Sequence, residues 1–378
     1  MDQESLFQEI LMARQRVYAA GEPTPLQKLE IAEFDCDVWV KRDDLGPIKA
    51  YKWRGAYNAV ASLSAEQRAK GIVTASAGNH GQGVALAARK LHCQAIVFMP
   101  VSTPEVKQKE VKRHGGSNVE IRLIGDSYDD AGIAAKQYCE AANAVYVHPY
   151  DALSTMGGQG TLADEVVMSG EGPFDRVYVP IGGGGLAAAV GCWFKRFWPE
   201  CKIIGVEGAD QASMKAAIAA GHPVELSYVD VFCDGTAVRK AGSNTFDICN
   251  EVLDEIVTVS NDEVCHSVRR YWETIRAIPE PSGAMGLAAI AQDFEAGKIA
   301  PGEKVLTVIS GANMDFAQLA TISRRAGIGS RHRRFLRVPI SEGKGSLLSF
   351  LKELPEEVSI VDLQYGRIGV KTQYPVLG

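Results

Sequence analysis

A chain of 378 residues is longer than one small core needs, so two domains or one large α/β unit with an appendage is the expectation. Apolar residues at 46% and charged residues at 23% match soluble globular proteins, and 40 basic against 46 acidic side chains leave −6, which argues against a general nucleic-acid partner. No apolar run is long enough to span a membrane, the opening MDQESLFQEI is too acidic for a leader, and eight cysteines without a CxxC pair predict reduced thiols rather than disulfides or a metal site; a cytoplasmic protein is expected.

In chain order, Glu4 to Ala19 place Leu6, Ile10, Ala13 and Val17 on one helical face, with Gly21 and Pro23 as the stop. A short strand over Val38 to Lys41 leads into KRDDLGPIKAYKWRGAYN. Gly46 and Pro47 mark a turn, after which Trp53, Ala56, Tyr57, Val60 and Leu63 recur at helical spacing, so Lys52 falls in the first turn of a helix. The positive end of the helix dipole and partial burial both disfavour an ammonium there, and a neutral amine is what Schiff-base chemistry requires. On this stretch alone, an ordinary lysine with a buried stem is the favoured account, and other segments must carry the catalytic reading.

GIVTASAGNHGQGVALAARKL then reads as a strand over Gly71 to Thr74, a turn over Ser76 to Gly83 and a helix over Val84 to Leu91. Such a turn presents backbone N–H groups to an anion. Asn79, inside it, suits a hydrogen bond to a ligand oxygen or a turn-stabilising role. The alternation continues with a strand over Ala95 to Pro100, a helix over Pro104 to His114, the strand NVEIRLIG, a helix over Ser127 to Ala142 and the strand AVYVHPY, predicting a parallel sheet wrapped in helices.

A second α/β set follows Tyr150. DALSTMGGQGTLADEVV turns at Gly157 and Gly158 before a helix. RVYVPIGGGGLAAAVGCWFKRF gives a strand over 177–181, four glycines from Gly182 to Gly185, and a helix from Leu186. Backbone that folds closely around a ligand at a helix start suits a phosphate. Gly182, Gly184 and Ala187 also satisfy G-x-G-x-x-A, with Glu207 ending the next strand where a ribose-binding acid sits, so a dinucleotide stays open beside a phosphate ester and a structural turn. Downstream come a helix over Gln211 to Ala220, a loop with Asp234, Gly235 and Thr236, a helix over Asp262 to Arg276, and a small-residue helix after Glu280 with Ser282 as its N-cap. The strand KVLTVIS ends at Ser310, either a turn residue or one at the ligand-binding end of an open sheet.

AYKWRGAYN, TASAGNHGQG, GGQGTLADE, PIGGGGLAA, EPSGA and ISGAN, in this order between Glu22 and Phe316, resemble the fold-type II pyridoxal phosphate enzymes, and within them the threonine dehydratases or threonine deaminases. The resemblance implies two open, mostly parallel α/β sheet domains of the tryptophan synthase β-like kind. The large domain would take residues 1–45 and 150–322, and the small one 46–149. It further implies that Lys52 carries pyridoxal 5′-phosphate, Tyr51 stacks on the ring, Asn79 meets the ring's 3′-oxygen, Gly182, Gly183, Gly184, Gly185 and Leu186 wrap the phosphate, Ser310 faces the pyridine nitrogen, and Glu280 joins the cofactor contacts. Backbone N–H groups of Ser76, Ala77, Gly78, Asn79 and His80 would hold the substrate carboxylate. A hydroxyl opposite the ring nitrogen favours β-elimination over transamination. Lys52 would remove the α-proton and the β-hydroxyl would leave as water, with the cofactor's phosphate acting as acid, so that L-threonine gives 2-oxobutanoate and L-serine gives pyruvate, each with ammonia. The pathway expected is isoleucine biosynthesis. A deaminase of another β-hydroxy amino acid, a nicotinamide oxidoreductase built on Gly182 to Glu207, and a catalytically silent paralogue are the alternatives.

Departures from the family pattern are Lys49 and Ala50 where His and Ser are usual, Tyr51 in the place of Phe, and Ala77 where serine racemases of this fold carry a second catalytic serine, which disfavours racemisation. Ser323 to Arg334 reads as a solvated, Arg- and Gly-rich linker, with a basic patch as the lesser alternative. Residues 335–378 (strand RFLRVPI, helix Gly345 to Leu354, strand VSIVDLQYG and RIGVK) resemble the first half of an ACT-like regulatory domain. Half a domain exposes sheet edges, so a homodimer or homotetramer is expected, and feedback by isoleucine is expected to be absent or altered.

Overall fold

Helix and strand patterns of the sequence resolve into two sheets and their covering helices in a computed structural model that describes residues 1–331, 333, 334, 336, 338–340, 343–361 and 363. The first section of chain gives α1 (Gln3–Val17), β1 (Leu26–Leu29), β2 (Asp37–Arg42), α2 (Lys52–Ala61) and α3 (Ala65–Ala69). Then come β3 (Ile72–Ala75), α4 (Asn79–Lys90), β4 (Ala95–Met99), α5 (Glu105–Gly115), β5 (Val119–Leu123), α6 (Tyr128–Ala142) and β6 (Val145–Tyr146). The remainder supplies α7 (Leu153–Met168), β7 (Arg176–Pro180), α8 (Gly185–Phe197), β8 (Lys202–Gly208), α9 (Ser213–Ala220), α10 (Ser243–Val252), β9 (Glu255–Val259), α11 (Asn261–Ile275), α12 (Pro281–Glu295), β10 (Lys304–Ile309), α13 (Gln318–Gly329) and α14 (Ser346–Lys352).

Four parallel strands, in the order β5-β4-β3-β6, form the smaller sheet. The larger runs β1-β2-β10-β7-β8-β9, parallel except for β1 against β2. Its inner strands β7, β8 and β10 are buried almost throughout, as strands covered on both faces must be. Val177, Val179, Leu306 and Val308 pack beneath α1, α7, α8 and α10, while Tyr178, Val305 and Ile309 pack beneath α11, α12 and α13. In both sheets the carboxyl ends of the parallel strands lead into the loops that carry the sequence motifs.

A buried ion cluster fastens α2 to the large sheet. Arg54, with no exposed surface, donates to Asp43 at 2.8 and 3.1 Å and to Glu165 on α7 at 2.5 and 2.9 Å. Lys41 on β2 lies 2.6 Å from Glu165 and donates to the carbonyl and hydroxyl of Thr24. Two cations therefore face two carboxylates where water does not reach; the Thr161 and Thr24 hydroxyls accept from Arg54, and the Thr24 hydroxyl donates to Asp43.

Several sequence expectations are corrected. Gly157 and Gly158 lie inside α7 rather than at a turn. A Cβ on Gly158 would meet the Arg54 carbonyl at 2.5 Å, and one on Gly157 would meet Glu9 at 2.4 Å, so these glycines serve close helix packing. The turn after β3 spans only Ser76 to Gly78, so Asn79 and His80 open α4. Glu280, followed by Pro281, is the N-cap residue of α12, and Ser282 is already helical. Ser323 to Gly329 continue α13, with Ile322 and Ala326 buried against α11, so most of the expected linker is helix. Residues 243–252 and 255–259 form a helix and a strand that the sequence reading did not resolve. The tail shows α14 where a helix was expected. Phe335 and Arg337 of RFLRVPI, the end of VSIVDLQYG and all of RIGVK lie outside the described residues.

Candidate active site

Lys52 is the first residue of α2, capped by Tyr51. Its Nζ donates to the Pro149 carbonyl at 2.9 Å and sits 5.4 Å from the centroid of the Tyr51 ring. Burial lowers its pKa to about 8, against an opposing pull from the Glu280 carboxylate. The shift raises the neutral fraction above that of a surface lysine, toward the state a nucleophilic amine needs.

Two runs of unspent backbone donors lie on segments packed against this stretch, one through Tyr150 and Gly183 and the other through Gly83 of α4, where a Cβ would meet the Lys52 carbonyl at 3.1 Å. Among the described residues, the N–H groups of Gly182 through Ala187, at the entrance to α8, donate to no protein group. The same is true of Ala77, Asn79, His80 and Gly81 at the start of α4. Buried donors without partners are costly, and both sets lie at helix N-termini, so each suits an anion. Gly184 has φ +96°, a conformation open to glycine, and a Cβ on Gly183 would strike the Tyr150 ring at 2.3 Å. The turn is held from outside by Thr245, whose hydroxyl donates to the Gly183 carbonyl at 2.6 Å. Tyr150 follows Pro149 directly, so the lysine's acceptor and the ring that packs on the glycine turn are neighbours in the chain.

An amide and carboxylate network joins the start of α4 to the N-cap of α12 and the loop after β10. Asn79 Nδ2 donates to Glu280 Oε1 at 2.9 Å, and the backbone N–H of Asn313 donates to Glu280 Oε2 at 3.0 Å. Burial pushes the Glu280 carboxyl up to about 8, reinforced by Asp234 and opposed by these two donors. Ser310 is buried at the end of β10, its carbonyl accepting the Tyr51 N–H at 2.9 Å. Ala50 bridges to Gly311 and is buried, and Lys49, at φ 58°, is exposed. The structure therefore gathers Tyr51, Lys52, Asn79, Glu280 and Ser310, with the tetraglycine turn beside them. His80 points its Nε2 at the Val147 carbonyl, 3.2 Å away, and burial lowers its pKa to about 3. Sequence reasoning assigned no role to Asn313, Pro149, Tyr150 or Thr245. Asn313 falls within the ISGAN motif, and the other three carry no local signal.

Glu207 bears on the dinucleotide alternative. It is fully buried and its two carboxylate oxygens accept the N–H groups of Met214 and Lys215 at 2.8 and 2.9 Å, so it caps α9 instead of facing a ribose. Among the described residues no cluster of candidate metal ligands occurs, and no helix is long and apolar enough to cross a membrane.

The donor set fits an aldehyde cofactor with an anionic handle: one amine of lowered pKa, six free N–H groups at a helix mouth, and the side-chain amide of Asn79. A family model described as "Pyridoxal-phosphate dependent enzyme" matches residues 17–311. L-threonine dehydratase biosynthetic IlvA of Haemophilus influenzae is 41% identical over 350 residues, covering 92% of this chain and 67% of its own. The chain spans about two thirds of the length of that curated relative. Among solved structures, the processed form of threonine deaminase isoform 2 from Solanum lycopersicum superposes with TM-score 0.81 at 38% identity, over 87% of this chain and 90% of that one. Maize serine racemase gives TM-score 0.77 at 28% identity, over 86% and 98%.

Proposed function

Because this chain belongs to the pyridoxal-phosphate dependent enzyme family, we propose that it is a threonine ammonia-lyase, converting L-threonine to 2-oxobutanoate and ammonia and L-serine to pyruvate as a secondary activity. The observation that carries the reading is Lys52, a buried amine of lowered pKa bonded to Pro149, whose chain neighbour Tyr150 packs on a glycine turn with unspent N–H donors. When bound, pyridoxal phosphate supplies the electron sink that acidifies the substrate's α-carbon. The N–H groups of Gly182 through Leu186 would hold its phosphate, Asn79 would donate to its 3′-oxygen, and Ser310 would face its ring nitrogen. Tyr51 would cover the ring.

The donors at Ala77, Asn79 and His80 would orient the substrate carboxylate. Lys52 Nζ would take the α-proton, and the β-hydroxyl departs as water. One water is consumed when the nitrogen leaves as ammonia, so the balance is threonine to 2-oxobutanoate plus ammonia. The relatives named biosynthetic support a place at the first step of isoleucine formation. A cytoplasmic homo-oligomer, dimeric or tetrameric, is part of the proposal. Leu336, Leu348, Val358 and Val361 stand exposed along the tail and support a covering surface there.

The test is incubation of purified protein with pyridoxal phosphate and L-threonine, with chromatographic detection of 2-oxobutanoate. A 2-oxo acid formed from another β-hydroxy amino acid but from neither threonine nor serine would move the assignment to that substrate. Protein that binds the cofactor and yields no 2-oxo acid from any of them would overturn it.

A further inference from the structure

The Asn79 amide has two faces, a donor and an acceptor, and which one it turns to a ligand depends on what holds it. The polarity can be followed from a group that cannot rotate. The Ile48 carbonyl is an acceptor only, and Asn313 lies 2.6 Å from it through Nδ2, which fixes the Asn313 amide with its NH2 on that side. The second hydrogen of the same NH2 reaches Asn79 Oδ1 at 2.9 Å. Asn79 Oδ1 is thereby occupied, and its NH2 faces the opposite way, toward Glu280 Oε1 at 2.9 Å. One hydrogen is used there and one remains. Glu280 secures the same assembly from behind by accepting the Asn313 backbone N–H.

We infer that Asn313 is a positioning residue that fixes Asn79 as a pure hydrogen-bond donor toward the ligand. The inference rests on the proposal that the site holds pyridoxal phosphate with Asn79 at the ring's 3′-oxygen. A donor facing that oxygen favours its ionised form, whereas an acceptor favours its protonated form. Without Asn313 the Asn79 oxygen loses the donor that occupies it, and the amide is held only by Glu280, whose carboxyl, raised by burial, can accept or donate and so does not fix the amide's direction. Three elements far apart in sequence, the turn before α2, the start of α4 and the loop after β10, thus set one proton position.

The test compares wild type, Asn313→Ala, Asn313→Asp, Asn79→Ala and the Asn79→Ala/Asn313→Ala pair, each saturated with pyridoxal phosphate. Asn313→Asp keeps the volume yet cannot donate to both carbonyls, so it serves if the alanine variant folds poorly. The readouts are the ratio of the visible band (ring oxygen ionised) to the near-ultraviolet band (ring oxygen protonated), and the cofactor dissociation constant. Both Asn313 variants should lower the ratio at least about threefold and weaken the cofactor by roughly tenfold, the scale of one lost hydrogen bond. The paired variant should match Asn79→Ala alone. Gln82→Ala, which removes only a 3.4 Å contact to Asn313, should leave the ratio unchanged. Asn313 variants that keep the wild-type ratio, or effects that add in the pair, overturn the inference while leaving the proposed function standing. Wild type that takes up no cofactor overturns both.

Discussion

Arg54→Met tests the cluster that holds α2, and its cost follows from the charges left behind. The substitution keeps the length of the aliphatic stem and removes a guanidinium without exposed surface, leaving Asp43 and Glu165 with Lys41 as their one remaining cation. One buried carboxylate then has no partner, and breaking a buried pair in this way costs about 3–5 kcal/mol. At roughly 2–4 °C per kcal/mol, the melting temperature should fall by about ten degrees. The pH dependence gives the sharper signature. In the wild type, burial raises the Asp43 pKa but Arg54 and Lys41 outweigh it, so the carboxyl sits below its ordinary value. That contribution is present above the ordinary carboxylate range and is lost as pH falls through it. In the variant the unpaired carboxyl is raised instead, so the folded state takes up a proton and the deficit should shrink between pH 8 and pH 5. Thermal melts followed by circular dichroism at both pH values measure it, and Arg54→Met/Glu165→Gln should recover more than half of the loss at pH 8. A deficit under about 1 kcal/mol, or one that does not change with pH, would refute the reasoning.

Lys52→Arg should abolish borohydride-trappable attachment of pyridoxal phosphate, and in the wild type the rate of attachment should rise with pH and level off above about 8, read by peptide mass. Gly183→Ala places a Cβ 2.3 Å from the Tyr150 ring, so the turn must open; cofactor affinity measured by absorbance titration should drop at least about tenfold, with a folded protein by circular dichroism. Thr245→Val removes the 2.6 Å bond to the Gly183 carbonyl and should cost about 1–2 kcal/mol in urea denaturation, together with a several-fold loss of cofactor affinity.

Helix and strand periods made most elements legible, because burial of one face leaves a local trace: Leu6, Ile10, Ala13 and Val17 are all buried on α1. Glycines were the main source of misreading. In sequence a glycine pair signals a turn, but Gly157 and Gly158 are small because α2 and Glu9 pass close by, a reason that exists only in three dimensions. Charge misled at Ser323 to Arg334, where Ala326, following Ile322 by one helical turn, is buried against α11 among exposed arginines. Within the site, Lys52, Asn79 and the tetraglycine turn announced themselves through motifs with local geometry. The partnership of Asn313 with Asn79 spans 234 positions, and no spacing rule connects residues that meet only after two sheets have packed.

The order of strands in the larger sheet has a consequence for how this protein is made. β2 lies between β1 and β10, so the first strands to leave the ribosome wait for almost the last. At ~5–20 residues per second that delay is on the order of tens of seconds. The β3 to β6 sheet is contiguous in the chain and can assemble meanwhile. Nascent β1 and β2 therefore keep an open edge until β10 emerges, which makes this hairpin the segment most exposed to pairing with another chain during synthesis.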